Sequence, residues 1–383
     1  MEHGADINIA NGKGITSLII ACKIGDENIV EYLIEHHANV NCIDEKGNSP
    51  LIIACYRYCN KTIINALVEH GADINQINTC GLTALAMACY KGNEHLVNYL
   101  IERGARINYE IDTNIINSDI YSSKRYYLDW GYKKFYKDDD YCFDEENYVN
   151  DFWSPLALAC KKNYQNIVKL LVNHGADVNK KGKFYDSPLV IACRNNNFAI
   201  VKYLIEYGNA KVDEDEAPLC YACSNGNQDL VYYLVEHGAK VNIKNIDNNN
   251  SNNDNDNDND DDDDDDIYEN INKRFGSPLV NACKYGNINI IKYLIEKGAD
   301  INAKCKMTRF EINEIKEKKR KKFYNESNKN YPLKVAIKYN KKEIIDLLIE
   351  NVAIVNDKND HDQEGYSMEL LLLSIENNNK KMI

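Results

Sequence analysis

The sequence predicts an all-α solenoid, a stack of helix-turn-helix repeats that are each about 33 residues long. Two observations support this prediction: a leucine that recurs at a fixed spacing, and a proline that recurs at a fixed repeat position. Successive copies of the leucine lie 33, 34, 71, 33, 30, 60 and 54 residues apart, so one period recurs and three intervals carry insertions. The aligned leucines are Leu18, Leu51, Leu85, Leu156, Leu189, Leu219, Leu279 and Leu333.

The six prolines of the chain mark the start of the first helix in each repeat. Every proline directly precedes one of the aligned leucines. Proline suits the first turn of a helix because its φ is fixed and because an N–H there has no intrahelical partner. A preceding Ser or Thr then caps the helix. First helices are therefore predicted to begin at Pro50, Pro155, Pro188, Pro218, Pro278 and Pro332.

A second helix is predicted from apolar residues at i, i+1, i+4 and i+5, as in Ile290, Ile291, Leu294 and Ile295. That spacing produces one apolar stripe that faces a neighbour. We expect a glycine to end this helix in a left-handed turn, and an extended Asp-Ile-Asn or Asp-Val-Asn segment to lead into the next repeat. The glycines are Gly71, Gly104, Gly175, Gly208, Gly238 and Gly298.

These motifs resemble the ankyrin-repeat family, in the Ser/Thr-Pro-Leu…Ala start, the Ile-Val…Leu-Ile second helix and the Gly-Ala-Asp-Ile-Asn exit. The resemblance covers eight full repeats and a partial repeat at each end, and it implies an all-α ankyrin-repeat solenoid with three insertions. One departure is systematic, because the family's histidine after Pro-Leu is replaced and its hydrogen bonds to neighbouring turns are lost. The replacing residues are Ile19, Ile52, Ala86, Ala157, Val190, Cys220, Val280 and Lys334.

The repeats are expected in four blocks. Residues 1–110 contain the first partial repeat and repeats 1 to 3, and residues 153–244 contain repeats 4 to 6. Repeat 7 spans 276–303, and residues 330–383 contain repeat 8 and the C-terminal partial repeat. The insertions between these blocks are 111–152, 245–275 and 304–329.

Each insertion has its own composition. The first is aromatic and acidic, and either packs back onto the stack or forms a binding arm, since Tyr and Trp are favoured interface anchors. The second, 245–275, is rich in Asn and Asp and is predicted to be disordered, because it has little apolar surface to bury. The third is basic, and its Lys/Arg run at 316–322 is either a solvated helical face or a patch for nucleic acid or nuclear import.

Little in the sequence points to catalysis. Seven of the thirteen cysteines follow the repeat alanine, where cysteine acts as a small buried hydrophobe. Five of the eight histidines (His3, His36, His70, His174 and His237) recur in the last turn of the second helix, where they face the negative end of the helix dipole. Motifs for phosphate binding, zinc proteases and serine hydrolases are missing, so we predict a protein that is not an enzyme and has no metal or cofactor.

The predicted binding site lies at the end of each first helix. Arrays that resemble this one contact partners through hairpin tips and this helix end, and here the two residues after each Ala-Cys occupy that place. Seven of the eight pairs contain Lys or Arg and four contain Tyr, which indicates either a basic, tyrosine-rich groove for an acidic partner segment or only a Lys-rich helical turn. The pairs are Lys23 and Ile24, Tyr56 and Arg57, Tyr90 and Lys91, Lys161 and Lys162, Arg194 and Asn195, Ser224 and Asn225, Lys284 and Tyr285, and Lys338 and Tyr339.

Three functional hypotheses follow. The first is a non-catalytic scaffold that binds another protein through the concave face of the stack, as a monomer away from membranes. The second is a nucleic-acid-associated or nuclear protein that uses the basic groove and the run 316–322. The third is the regulatory array of a larger enzyme. With no export signal or long apolar stretch in the sequence, we expect an intracellular protein in the cytoplasm, with the nucleus as the alternative.

Overall fold

The computed structural model describes residues 6–57, 60–109, 154–182, 186–213, 217–242, 277–303, 305–306 and 329–351. The first insertion, the Asn/Asp-rich insertion, most of the basic insertion with its run 316–322, and the C-terminal partial repeat lie outside the described residues. The predictions made for those segments therefore remain predictions.

The described residues form sixteen helices in eight pairs, and the first helix of each pair begins at or next to the aligned Pro-Leu or its equivalent. The first helices are α1 Ser17–Ile24, α3 Pro50–Arg57, α5 Ala84–Lys91, α7 Pro155–Lys161, α9 Pro188–Arg194, α11 Ala217–Asn225, α13 Pro278–Tyr285 and α15 Pro332–Lys338. The second helices are α2 Glu27–Glu35, α4 Lys61–Glu69, α6 Glu94–Glu102, α8 Gln165–Asn173, α10 Phe198–Glu206, α12 Gln228–Glu236, α14 Ile288–Glu296 and α16 Lys342–Glu350.

The predicted all-α class is confirmed. Besides the helices, the described residues contain one antiparallel ladder in which β1, Cys305–Lys306, pairs with β2, Lys329–Asn330. This ladder was not predicted, because a two-residue pairing leaves no periodic pattern in the sequence.

Six of the eight first helices begin as the sequence predicts, with a hydroxyl cap. The hydroxyl oxygens of Thr16, Thr83, Ser154 and Ser277 each accept a hydrogen bond from the backbone N–H three residues later. Each bond satisfies one of the N–H groups that the first helical turn leaves unpaired. In α15 the N-cap is Tyr331, and its side chain makes no cap bond. Helix α11 begins at Ala217, which follows Glu216 in the sequence rather than a Ser or Thr.

The second helices end in left-handed turns, with one correction. Gly71, Gly104 and Gly175 adopt positive φ as expected, but Gly208 does not, and Asn209 adopts a φ of 56° in its place. Asparagine tolerates this conformation better than most residues, so the turn shifts by one residue without a glycine. The segment that follows was expected to be extended, but it turns: the carboxylate of Asp73 accepts a hydrogen bond from the N–H of Asn75 at 2.9 Å.

The chain divides into two compact units, residues 1–192 with 199–210, and residues 193–198 with 211–383. In the first unit the first helices contact one another in the order α1, α3, α5, α7, while α2 packs on α4 and α6 on α8. Within the second unit α11, α13 and α15 contact one another in order, and α12 packs on α14. Two repeats that an insertion separates in sequence are therefore still neighbours in the structure.

The core consists of the repeated apolar positions. The aligned leucines and the seven cysteines that follow the repeat alanine are all buried, which confirms their predicted role as packing residues. In seven of the eight second helices the buried residues lie at i, i+1 and i+4 of the predicted stripe, as in Ile290, Ile291 and Leu294. In α2 the buried residues are Val30, Leu33 and Ile34. An unexpected member is Lys334, which is only 6% exposed in the first turn of α15.

Candidate protein-binding face

The sixteen residues of the eight predicted pairs lie where the sequence placed them, at the ends of the first helices. Most occupy the last turn, while Lys162, Asn195 and Tyr339 follow the last helical residue. Their surroundings differ from repeat to repeat.

Four of these residues come together in the first unit. The Tyr56 and Tyr90 rings, at the ends of α3 and α5, are stacked with centroids 6.4 Å apart and an interplanar angle of 27°. The Lys91 ammonium lies 4.1 Å from the Tyr56 centroid, and the Lys162 ammonium lies 4.3 Å from the Tyr90 centroid. Each lysine thus covers the tyrosine of the preceding repeat, which is the geometry of a cation–π interaction. We name these four residues the Tyr/Lys row.

Burial assigns different roles to the two residue types of the Tyr/Lys row. Both tyrosines are only 7% exposed, whereas Lys91 and Lys162 are half-buried. The sequence predicted a basic, tyrosine-rich groove here, and in the structure the rings of these two tyrosines are buried beneath the ammonium groups. Such contacts contribute roughly 0.5–1 kcal/mol at an accessible site and more when they are desolvated, so they restrain the lysine side chains.

In the second unit the predicted Arg194 meets a residue that the sequence did not single out. Its Nε donates a hydrogen bond to the Tyr221 hydroxyl at 2.8 Å, and its guanidinium carbon lies 4.9 Å from that ring's centroid. Nearby, the Asn225 side-chain amide donates to the Cys193 carbonyl at 2.9 Å. Tyr221 was missed because it lies two residues after the aligned leucine, a position where most other repeats carry an apolar residue such as Met87.

The remaining predicted residues form looser groups. Lys284 lies 6.0 Å from the Tyr285 centroid and 5.9 Å from that of Tyr339, and Lys338 lies 5.5 Å from the Tyr339 centroid. Tyr285 is 54% exposed and Ile24 is 61% exposed, so these two do present apolar surface to solvent. Neither residue is placed in the Tyr/Lys row.

Asparagines at the exits of the second helices hold successive repeats in register. Asn41 donates its side-chain amide to the Gly71 carbonyl at 3.0 Å and accepts the Asp73 N–H at 2.7 Å. Asn75 makes the same pair of bonds one repeat further on, to Gly104 and Arg106. Each asparagine thus satisfies a helix-end carbonyl and a loop N–H of its neighbour. We call this series the asparagine ladder; its members are Asn8, Asn41, Asn75, Asn108, Asn179 and Asn242.

Four histidines and the buried cysteines have structural roles. His36, His70, His174 and His237 cap their helices, and each Nδ1 lies 2.7–2.8 Å from the carbonyl oxygen four residues earlier. A carbonyl can only accept, so Nδ1 carries the proton. Burial raises the pKa of the Cys22 thiol to about 12, with a smaller contribution from Cys42. Within the described residues, no three His, Cys, Asp or Glu side chains gather in a way that could hold a metal.

Family models of ankyrin repeats match several parts of the chain. Models of ankyrin repeats match residues 1–78 and 156–245 (three copies), 57–101 (many copies) and 276–303 (a single repeat). Together these matches cover more than half of the chain, which therefore belongs to the ankyrin-repeat family. Ankyrin repeats are generally protein–protein interaction modules.

A search of solved structures matched the crystal structure of the human ASB11 ankyrin repeat domain. It is 24% identical and has a TM-score of 0.45, and the match covers 61% of this chain and 88% of that chain. A search of curated proteins found no match. None of the described helices has the length and apolar character needed to cross a membrane.

Proposed function

We propose that this protein is a non-catalytic scaffold whose Tyr/Lys row binds an acidic segment of a partner protein. The observation that carries the proposal is the placement of Lys91 over Tyr56 at 4.1 Å and of Lys162 over Tyr90 at 4.3 Å. Ordinary surface lysines lose conformational entropy when they bind, which offsets much of the energy of an exposed ion pair. A ring beneath the ammonium reduces that cost because the side chain is already restrained.

The same geometry supports an acidic rather than an apolar partner segment. The apolar parts of Tyr56 and Tyr90 are buried, so the accessible groups of the row are cations. Complementary charge favours partner choice and the rate of association more than affinity, and its effect falls as salt rises. We therefore expect binding that weakens strongly between low and physiological salt.

The test is a charge reversal of the row, Lys91→Glu with Lys162→Glu, in the full chain. A matched control reverses Lys61 and Lys169, which are exposed on α4 and α8 and change the net charge equally. Partners are captured with the full chain, a carbodiimide then joins lysine amines to neighbouring carboxylates, and mass spectrometry maps the cross-linked peptides. We expect cross-links from Lys91 and Lys162 of the parent chain to an acidic partner segment. Capture of that partner should persist in the control and be lost on reversal of the row.

Thermal unfolding followed by circular dichroism checks that all variants fold. Capture that is equal in both double variants would contradict the proposal. So would a captured ligand that is nucleic acid, released by nuclease, since the second hypothesis of the sequence analysis predicts that result.

A further inference from the structure

The first helix of the first repeat, α1, carries two exposed isoleucines near its end. Ile20 and Ile24 are four residues apart and therefore lie on the same side of this helix. Ile20 is 46% exposed and Ile24 is 61% exposed, so both present apolar surface to solvent. We call these two residues the isoleucine patch. Single exposed isoleucines are common on protein surfaces, so the position of the patch matters more than its size.

The isoleucine patch lies next to the Tyr/Lys row. Ile24, Lys91 and Lys162 each follow the repeat cysteine by two residues, so they hold the same position in their repeats. Helices α1, α3, α5 and α7 contact one another in that order. The patch is therefore on the same face as the row, one repeat before Tyr56 on α3.

The environment of these positions differs between the first repeat and the repeats of α5 and α7. The residues equivalent to Ile20 in α5 and α7 are Met87 and Leu158, and both are buried. At the position of Ile24, the two lysines of the row reach back to the tyrosine ring of the preceding repeat. In α1 the side chains at both positions instead present aliphatic surface to solvent.

The accessible chemistry of the face therefore changes along the stack, from aliphatic side chains on α1 to restrained ammonium groups on α5 and just after α7. A carboxylate placed on the isoleucine patch would lose hydration without gaining a hydrogen bond. An apolar side chain placed there removes apolar surface from water, which adds affinity that exposed ion pairs supply poorly.

We infer, on the basis of the proposed function, that the partner segment has an apolar side chain at one end of its acidic part. The acidic residues lie over the Tyr/Lys row, and the apolar side chain packs on Ile20 and Ile24. The charges govern partner choice and the rate of association, and the apolar contact contributes affinity that salt does not screen.

Three synthetic peptides of equal length test this inference by fluorescence anisotropy on the full chain. The first has an acidic centre with two leucines at each end, the second has alanines in place of the leucines, and the third has glutamines in place of the acidic residues. Leucines at both ends make the result independent of the direction in which the segment lies. We expect the first peptide to bind about tenfold more tightly than the second, the effect of burying roughly 60 Å² of apolar surface. It should also bind more tightly than the third.

Two double variants locate the apolar contact. Ile20→Gln with Ile24→Gln should abolish the difference between the first two peptides and leave the affinity of the second unchanged. Ile9→Gln with Ile29→Gln is the matched control, because Ile9 is 65% exposed before α1 and Ile29 is 47% exposed on α2. The control should keep the difference. Circular dichroism checks that the variants fold, and Ile24→Gln alone should remove part of the difference.

The possible results separate the apolar contact from the proposed function. If the first two peptides bind equally and both lose affinity in Lys91→Gln with Lys162→Gln, the apolar contact is wrong and the acidic-segment function stands. A difference that persists in Ile20→Gln with Ile24→Gln overturns the inference, because the leucines then bind elsewhere. If neither acidic peptide binds, or if the affinity of the second is unchanged by Lys91→Gln with Lys162→Gln, the proposed function itself is wrong.

Discussion

Asn108 donates a hydrogen bond from its side-chain amide to the carbonyl oxygen of Gly175 at 2.8 Å, although the two residues are 67 positions apart in sequence. Its side-chain oxygen also accepts the N–H of Asp177 at 2.8 Å. The same pair of bonds joins Asn41 to the next repeat over a separation of only 30 and 32 residues. The asparagine ladder therefore crosses the first insertion without a change in its geometry.

The ladder predicts a measurable contribution from Asn108. Replacing it with alanine removes both bonds, at a cost of about 1–2 kcal/mol because the freed groups are exposed and can bond to water. Urea unfolding measures this loss. Asn108→Asp is the matched variant, because it keeps the acceptor for Asp177 and loses the donor to Gly175. We expect Asn108→Asp to be destabilised as well, since a carboxylate then faces the Gly175 carbonyl. If Asn108→Ala is as stable as the parent chain, the asparagine ladder does not contribute to stability.

The first insertion should be dispensable for the stack. We predict that replacing residues 110–153 with the six residues 77–82 leaves a folded chain, because that linker restores the spacing between Asn75 and Thr83. Tyr109 would remain, with its hydroxyl donating to the Gly81 carbonyl at 3.2 Å. Circular dichroism at 222 nm, scaled per helical residue, should be unchanged. A loss of helical signal would show that the insertion itself supports α5 and α7.

A tight approach at Gly92 gives a second stability test. A Cβ on Gly92 would lie 2.6 Å from Cζ of the Tyr164 ring. Tyr164 is the N-cap residue of α8, and its side chain makes no cap bond. The φ of Gly92 is +75°, so alanine adds both a left-handed penalty of about 1–2 kcal/mol and a clash. Gly71→Ala is the control, because its φ is +83° but nothing lies within 4 Å of the added Cβ.

We expect Gly92→Ala to lower the free energy of unfolding by more than Gly71→Ala, as measured by urea denaturation. Adding Tyr164→Ala to Gly92→Ala should remove part of the excess, because the clashing ring is gone. Equal losses for the two single alanine variants would mean that Tyr164 moves aside without cost.

The buried thiols predict how stability depends on pH. The pKa of an unfolded cysteine is about 8.5, and burial raises the pKa of Cys22 to about 12 in the folded chain. Above about pH 8.5 the unfolded chain releases protons that the folded chain keeps. Each buried thiol therefore makes its full contribution to the free energy of unfolding below that pH. The free energy of unfolding falls as pH rises toward 12, by up to about 1.4 kcal/mol per pH unit for each such thiol. Burial also raises the pKa of Cys89, Cys160, Cys193, Cys223 and Cys283.

Urea unfolding at pH 7.5 and pH 9.5 measures this slope. Cys22→Ala should reduce it, while the packing that the substitution removes lowers stability equally at both pH values. If the slope is unchanged in Cys22→Ala, ionisation of this thiol does not contribute to the pH dependence of the free energy of unfolding.

The helices could be predicted from the sequence because their signals are local. Thr16 and Ser154 cap the helices that follow them, and proline, cap and apolar stripe all act within one or two turns. Each of these patterns is weak in a single repeat, but it recurs across eight repeats at one period, which strengthens the prediction. Where a repeat departs from the period the prediction failed, as at Gly208, whose left-handed turn falls on Asn209.

The sequence by itself determined the architecture, and it located the candidate face by residue number. Only the tertiary structure decided that Tyr56 and Tyr90 lie beneath Lys91 and Lys162, and that Asn108 bonds to Gly175. Each of these contacts joins side chains of different repeats, and no local propensity encodes such a distance. The stacking of α3, α5 and α7 brings the ammonium groups of Lys91 and Lys162 within a few ångströms of the rings of Tyr56 and Tyr90. The two lysines are thereby restrained over buried rings.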